Sequence, residues 1–361
     1  MSVSRCRSVL SVCLCACWFV ASAGRAAEET KPAGGEAEKP AAAPVDRYAV
    51  PEGDVARLLT FIDELQKFRP TTLEEYENHQ QKSPAALKLA AERILALEKD
   101  PASEVFQKAT GYILQSRVQT LMTVSADEQR KISADVLAHV MAKETLTRLE
   151  FSLAFSTARS LENLGNKELA LEAYSAFGKR FSESQDPMLA RYGQKMLGSA
   201  RRINLPGNEM QLEGKTVDGR PFNWKSYRGK VVLVDFWATW CGPCVREIPN
   251  VKKQYELYHD KGFDVVGISL DEKREELKKF IEEQQLPWVC LFEDGSGGNH
   301  PMAVYYGVMA IPTVILVDKE GKVVNLNAHG DELASELERL LGPAEPKAAP
   351  AQETPKEKAG G

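Results

Sequence analysis

Residues 230–249 read KVVLVDFWATWCGPCVREIP, and this stretch decides how the chain folds. Residues 230–237 are dense in valine, leucine and aromatic side chains, which predicts a buried strand. The residues that follow lead into a predicted helix that continues to about Tyr258. The stretch therefore predicts a strand, a turn and a helix, with Cys241 and Cys244 at the start of the helix.

The two cysteines have the spacing of a redox pair. Cys241 closes the predicted turn, so it meets the free N–H groups of a helix N-terminus, which favour a thiolate. Cys244 lies one turn further along the same helix face, where the two sulfurs can form a disulfide. Gly242-Pro243 suits the turn, because proline lacks an N–H that would be unpaired there. The motif predicts one thiol that attacks a substrate disulfide and a second that resolves the mixed disulfide.

Two other interpretations of the pair are weaker. A zinc site needs two further ligands, and His259 and Cys290 are single residues on separate predicted elements. A purely structural disulfide between residues three apart would constrain little of the unfolded chain. The third cysteine of this region, Cys290, lies in an apolar strand and is predicted to be a buried packing residue. No metal and no cofactor are expected.

The remainder of this half alternates between strands and helices. Strands are predicted at FDVVGISL, WVCLF, TVILVD and KVVNL, and helices at about 272–285 and 331–341. Such alternation predicts an α/β sheet with helices on both faces. The hairpin that turns at Gly321 makes the predicted sheet mixed rather than purely parallel.

The motif VDFWATWCGPC, followed by Val245-Arg246-Glu247-Ile248-Pro249, resembles the TlpA/ResA-like exported thiol–disulfide oxidoreductases of the thioredoxin superfamily. The resemblance covers about residues 206–342. It implies a thioredoxin-like fold and protein disulfide oxidoreductase activity, with Cys241 as the attacking thiol and Cys244 as the resolving thiol. Ile311-Pro312 matches the pair whose proline is cis in such folds and lies beside the disulfide.

The resemblance also implies which residues meet the substrate and which move protons. Substrate contacts are expected at Trp240, Gly242, Pro243, Ile311 and Pro312, with Trp237 and Trp240 shielding the site. Two acids are candidates for moving the resolving thiol's proton, and they are not exclusive. Asp235 precedes Cys241 by six residues in an apolar strand, and Glu247 follows Cys244 by three on the same helix face. A carboxyl group held in an apolar wall can exchange protons near neutrality.

The first 27 residues have the order of a secretory signal peptide. Arg5 and Arg7 precede an uncharged apolar run at 9–20, and small residues follow at 21–23. The run is too short to span a bilayer, so no integral membrane span is expected in the mature chain. Residues 14–17 also resemble a lipoprotein processing box, which would make Cys17 a lipid anchor. We expect export to the periplasm or cell envelope, with disordered segments at 28–47 and 343–361.

Residues 48–205 are predicted to form a separate all-helical domain, because apolar residues recur at three- and four-residue spacing. Ser83-Pro84 and Ser125-x-x-Glu128 are typical of helix starts. Residues 161–181 weakly resemble a tetratricopeptide-type helical repeat, but no second copy follows at the required spacing of about 34 residues. An irregular bundle is the alternative, and nothing in this half is predicted to be catalytic.

The net charge of −5 argues against a nucleic-acid binder, which would usually be basic. The expected partners are proteins with disulfides and a membrane electron donor, because no flavin or nicotinamide motif is present. The Gly-Pro dipeptide between the two cysteines is the same as in thioredoxin, which predicts that the protein acts as a reductant. A thiol peroxidase is one alternative, although Ala238 and not Thr239 has the spacing of the peroxidase threonine. A helical scaffold that recruits partners to an accessory redox domain is another.

Overall fold

The computed structural model describes residues 46–296 and 298–344. The predicted signal peptide with Cys17 and nearly all of the two predicted disordered segments lie outside these residues. Within the described ranges, no helix is both long enough and apolar enough to cross a membrane.

The first part of the described chain consists of helices. Each begins after a polar side chain, such as Asp54 before α1, that accepts a backbone N–H of the first turn, which satisfies a donor with no partner inside the helix. As predicted, Ser125 caps one of them by accepting from Glu128 N at 3.3 Å. The helices are α1 Val55–Lys67, α2 Leu73–Leu97, α3 Glu104–Gln119, α4 Ala126–Ala142, α5 Arg148–Asn163, α6 Lys167–Ser182 and α7 Pro187–Ile203.

The helix start predicted at Ser83-Pro84 is wrong. Helix α2 begins at Leu73, where Thr72 caps it, and continues through Pro84 to Leu97. A proline inside a helix costs about 3 kcal/mol, because it removes one hydrogen bond and crowds the preceding turn. The residues around it, including Ala86 and Leu87, are buried against α1 and α3. Tertiary packing therefore keeps the helix continuous where the local sequence favours a break.

Two apolar clusters stabilise the helices. One joins α1, α2 and α3 around Ile62 and Ile94. The second extends from α3 to α7 and contains the fully buried rings of Phe177 and Phe181. Helices α5 and α6, which cover the weakly repeat-like residues 161–181, pack against each other within it. Any pair of packed helices makes such contacts, so the helical repeat stays a prediction.

The second part contains a five-stranded sheet in the order β3-β2-β1-β4-β5. Strand β1 pairs in parallel with β2 and antiparallel with β4, so the sheet is mixed as predicted. Strands β1 and β2 are buried along nearly their whole length, so both faces are covered. The α/β, thioredoxin-like fold class with a preceding helical region is confirmed. The elements are β1 Val231–Trp237, α8 Gly242–Tyr258, β2 Phe263–Ser269, α9 Arg274–Glu283, β3 Val289–Leu291, α10 Pro301–Tyr305, β4 Thr313–Val317, β5 Val323–Asn325 and α11 Asp331–Leu341.

The backbone of helix α7 packs directly against the backbone of the loop that follows α10. Side chains added at Gly198 or Gly307 would collide with main-chain atoms of the other segment. The hydroxyl of Ser199 donates to the Gly307 carbonyl at 3.1 Å in a buried position. The described residues from Arg47 onward form one compact unit, and the domain boundary predicted at 205/206 stays a prediction.

Gly307→Ala is expected to destabilise the protein by at least about 2 kcal/mol, because a buried overpacked methyl group forces the backbone apart. Gly229→Ala is the matched control. Both glycines have positive φ, 62° and 88°, but an added Cβ at Gly229 meets nothing within 4 Å. Urea unfolding measures the difference between the two variants. Equal losses in both would show that backbone strain alone, and not the contact with α7, makes Gly307 necessary.

Candidate active site

The two cysteines of the motif form a disulfide at the start of α8. Strand β1 ends at Trp237, and the turn after it closes through a hydrogen bond from Cys241 N to the Ala238 carbonyl at 3.1 Å. Cys241 is the N-cap of α8, and its sulfur accepts the backbone N–H of Cys244 at 3.2 Å. The structure therefore describes the oxidised protein, with the sulfur of Cys241 held against a helix N-terminus.

Little of the disulfide is exposed to solvent, and an exposed aromatic side chain lies beside it. Cys241 is 5% exposed and Cys244 is 4% exposed, while the Trp240 ring is 64% exposed. Gly242 and Pro243 are exposed as well. These residues face the solvent beside the sulfurs, where a substrate contact was predicted. Trp237 is different, because it is buried in the core against Phe280, and its shielding of the site stays a prediction.

The peptide bond between Ile311 and Pro312 is cis. Thr313 follows directly and pairs with Phe236 near the end of β1. That register places Pro312 at the end of the sheet from which the chain continues to Cys241. The loop is held in part by the Thr313 hydroxyl, which donates to the Ala310 carbonyl at 2.8 Å.

Asp235 lies inside the sheet on β1. Asp235 is partly buried, and its Oδ1 atom, which is shielded from solvent, has no hydrogen-bond partner among the described residues. Burial, with a smaller contribution from the negative charge of Glu247, raises the pKa of Asp235 to about 7. The carboxyl group is therefore poised to exchange a proton near neutral pH.

Glu247 is held half-buried on α8. Its Oε1 atom accepts the backbone N–H of Gly330 at 2.8 Å and the side-chain amide of Asn250 at 2.7 Å. These bonds connect α8 to the loop before α11. The structure thus places both candidate acids close enough to interact electrostatically. Among the hydrogen bonds of the described chain, neither carboxylate contacts a cysteine sulfur.

Sequence reasoning missed Asp271. This buried carboxylate accepts hydrogen bonds from the Thr239 hydroxyl at 2.6 Å and from the Ser269 hydroxyl at 2.7 Å. It thereby fixes the turn that carries the disulfide. The hydroxyl of Thr239, which is one residue away from the position of the peroxidase threonine, is engaged in this bond. The position of an acid just after a buried strand was the signal that could have identified Asp271.

Two arginines were also missed, one beside Gly242 of the motif and one at the cis-proline loop. Arg246 is exposed, and its guanidinium lies 3.4 Å from the position that a Cβ on Gly242 would occupy. It adds a positive charge beside the motif. Arg159 of α5 reaches the loop of the cis proline from the helical half, as described below.

The third cysteine of the described residues is a packing residue, as predicted. Cys290 is free, 3% exposed and part of the sheet core. Burial raises the pKa of its thiol, which makes it a poor nucleophile. No group of three or more potential metal ligands occurs in the described ranges.

The chain resembles known proteins in its second part only. The Redoxin family profile matches residues 203–341. The thiol-disulfide oxidoreductase ResA of Bacillus thuringiensis is 31% identical over 125 residues, which are 35% of this chain and 69% of the relative. The chain belongs to the ResA family of thiol-disulfide oxidoreductases.

Other known proteins are similar to the same part of the chain. ResA of Geobacillus thermodenitrificans is 34% identical over 107 residues, which cover 30% of this chain and 59% of the relative. A solved thioredoxin domain of a thiol-disulfide oxidoreductase from Bacteroides vulgatus is 33% identical, with a TM-score of 0.35, and covers 38% of this chain and 97% of that domain. The TlpA/ResA-like resemblance is confirmed for the redox half, and disulfide oxidoreductase activity with it. The helical residues 48–202 precede the matched region.

Proposed function

We propose that this ResA-family protein reduces disulfides of exported proteins through Cys241 and Cys244. The observation that carries the proposal is the disulfide at the N-terminus of α8 together with Asp235, whose buried Oδ1 atom has no hydrogen-bond partner among the described residues. A helix N-terminus favours the thiolate form of Cys241 once the pair is reduced. The only other cysteine among the described residues, Cys290, is buried.

The reaction starts with the reduced pair. The Cys241 thiolate attacks one sulfur of a client disulfide, forms a mixed disulfide and releases the other client cysteine as a thiolate. Cys244 then loses its proton and attacks the sulfur of Cys241, which releases the second client thiolate. The client gains two electrons, and the protein loses two and returns to the disulfide that the structure describes.

Asp235 and Glu247 are proposed to handle the proton of Cys244. A group whose pKa is about 7 can accept a proton and release it again at physiological pH, and Asp235 has that property because it is buried. Glu247 is fixed by Gly330 and Asn250 at a position where its charge acts on Asp235. We assign Asp235 as the final acceptor of that proton and Glu247 as the group that tunes the pKa of Asp235.

Substrate contacts are proposed at the exposed surface beside the disulfide. Trp240, Gly242 and Pro243 face solvent there. The backbone of Ile311, which precedes Pro312, is proposed to pair with an extended client segment. Ile311 and Pro312 are both partly exposed, so a client can reach them.

The proposed location is outside the cytoplasm. The order of basic, apolar and small residues over positions 5–23 supports export, and the lipoprotein-like residues 14–17 support lipid attachment at Cys17. An extracytoplasmic reductant needs electrons from across the membrane, so a membrane electron donor is the proposed partner that reduces the disulfide again.

The direction of electron flow is tested by the reduction potential of the Cys241–Cys244 pair. We expect a value near that of thioredoxin, about −270 mV, because the dipeptide between the cysteines is the same. Equilibration with glutathione or dithiothreitol buffers, followed by thiol alkylation and mass spectrometry, measures it. A potential near about −120 mV, which is typical of a strong oxidant, would contradict the assignment as a reductant.

A further inference from the structure

A polar cleft of about 200 Å³ lies beside the cis proline, between the helical and redox halves. We call it the proline cleft. On the redox side it is lined by Met309, Ala310 and Pro312, and on the helical side by Phe155, Arg159 and Arg202. The helical half therefore reaches the loop where a client segment is proposed to bind.

The helical wall of the cleft is held in place by buried contacts. Ser199 of α7 donates to the Gly307 carbonyl, five residues before Pro312. Arg202, one turn further along α7, forms an ion pair with Glu162 at 2.8 Å. The other oxygen of Glu162 accepts the buried hydroxyl of Tyr174 at 2.8 Å. The wall is thus positioned by the same contact that joins α7 to the cis-proline loop.

The charge of the proline cleft is positive. Arg159, Glu162 and Arg202 are its charged lining residues, and the last two neutralise each other. Arg159 is exposed, and its guanidinium forms no ion pair or hydrogen bond with any part of the chain that the structure describes. Arg246 adds a second exposed cation beside Gly242. A guanidinium without a partner offers five donors that match a carboxylate.

We propose that the proline cleft receives the client segment that flanks the attacked cysteine, and that Arg159 selects segments with an aspartate or glutamate side chain. This inference rests on the proposed reduction of client disulfides by Cys241. The redox half would perform the chemistry, and the helical half would decide which acidic segments it acts on. Complementary charge acts chiefly on specificity and association rate, so Arg159 is a specificity residue and not a catalytic one.

The test uses the full chain, reduced beforehand, and two disulfide-cyclised peptides. The peptides differ only in that residues flanking the cysteines are glutamate in one and glutamine in the other. Stopped-flow tryptophan fluorescence gives the second-order rate constant for each. An exposed ion pair is worth up to about 1 kcal/mol, so we expect the wild type to prefer the glutamate peptide by up to about fivefold at low salt. Arg159→Gln should lower that preference to about one, with the glutamine peptide unaffected, and Arg159→Lys should keep part of it.

Arg130→Gln is the matched control, because Arg130 is also exposed and belongs to α4 of the helical half, away from the proline cleft. It should leave the preference unchanged. The proposal is overturned if Arg159→Gln keeps the wild-type preference, or if Arg130→Gln loses it equally. Failure of the underlying function gives a different result, since the wild type would then reduce neither peptide.

Discussion

Cys241→Ser is expected to lower the rate of disulfide reduction by at least about 10³-fold, because it removes the attacking thiolate. Cys244→Ser should also abolish turnover, but for another reason. Its Cys241 still attacks the client, and no thiol remains to resolve the mixed disulfide. The two variants are therefore expected to differ in what they accumulate.

Non-reducing electrophoresis and mass spectrometry of the Cys244→Ser protein should identify stable mixed disulfides through Cys241. The Cys241→Ser protein should capture far fewer clients. Cys290→Ala is the control, because this thiol is buried away from solvent and should change neither rate nor capture. If Cys241→Ser trapped clients and Cys244→Ser did not, the roles of the two thiols would be reversed.

Asp235→Asn is expected to raise the free energy of unfolding of the oxidised protein. It is also expected to lower the rate at which the reduced protein reduces client disulfides. Burial raises the pKa of Asp235 from 3.8 to about 7, so the folded state holds a proton that the unfolded chain releases. The free energy of unfolding therefore falls as the pH rises from 3.8 to about 7. Above pH 7 it stays lower by the full cost of burying the charged carboxylate. A shift of about three pK units corresponds to about 4 kcal/mol. Asparagine cannot ionise. The free energy of unfolding of the variant should therefore exceed that of the wild type by up to about 4 kcal/mol at pH 8 and by little at pH 4.

The same variant should reduce client disulfides about 10²-fold more slowly at pH 7, because proton transfer from Cys244 loses its acceptor. Urea unfolding at pH 4, 6 and 8 measures the stability, and a single-turnover assay measures the rate. Asp271→Asn is the matched control, since Asp271 is buried but accepts hydrogen bonds from Thr239 and Ser269. It should destabilise the protein instead. An Asp235→Asn protein with unchanged rate would mean that Asp235 is only a buried acid.

The sequence predicted much of the redox half because its signals are local. A β-branched run, a Gly-Pro turn and a helix start are read within about 20 residues, and β1, α8 and α11 follow those signals closely. The apolar neighbours of Asp235 on its own strand already indicated a buried carboxyl group. The failure at Ser83-Pro84 has the opposite cause, since contacts with α1 and α3 overrode a local signal.

By itself, the sequence located two thiols at a helix start and an acid inside the strand before them. Only the tertiary structure decided that Glu247 is held by Gly330 and that the helical half lines the cleft beside Pro312. The hydrogen bond from Ser199 to Gly307 joins residues 108 positions apart. Periodicity and motif spacing describe residues that are close along the chain. A contact between distant residues depends on how whole helices and strands pack, and no local sequence pattern contains that information.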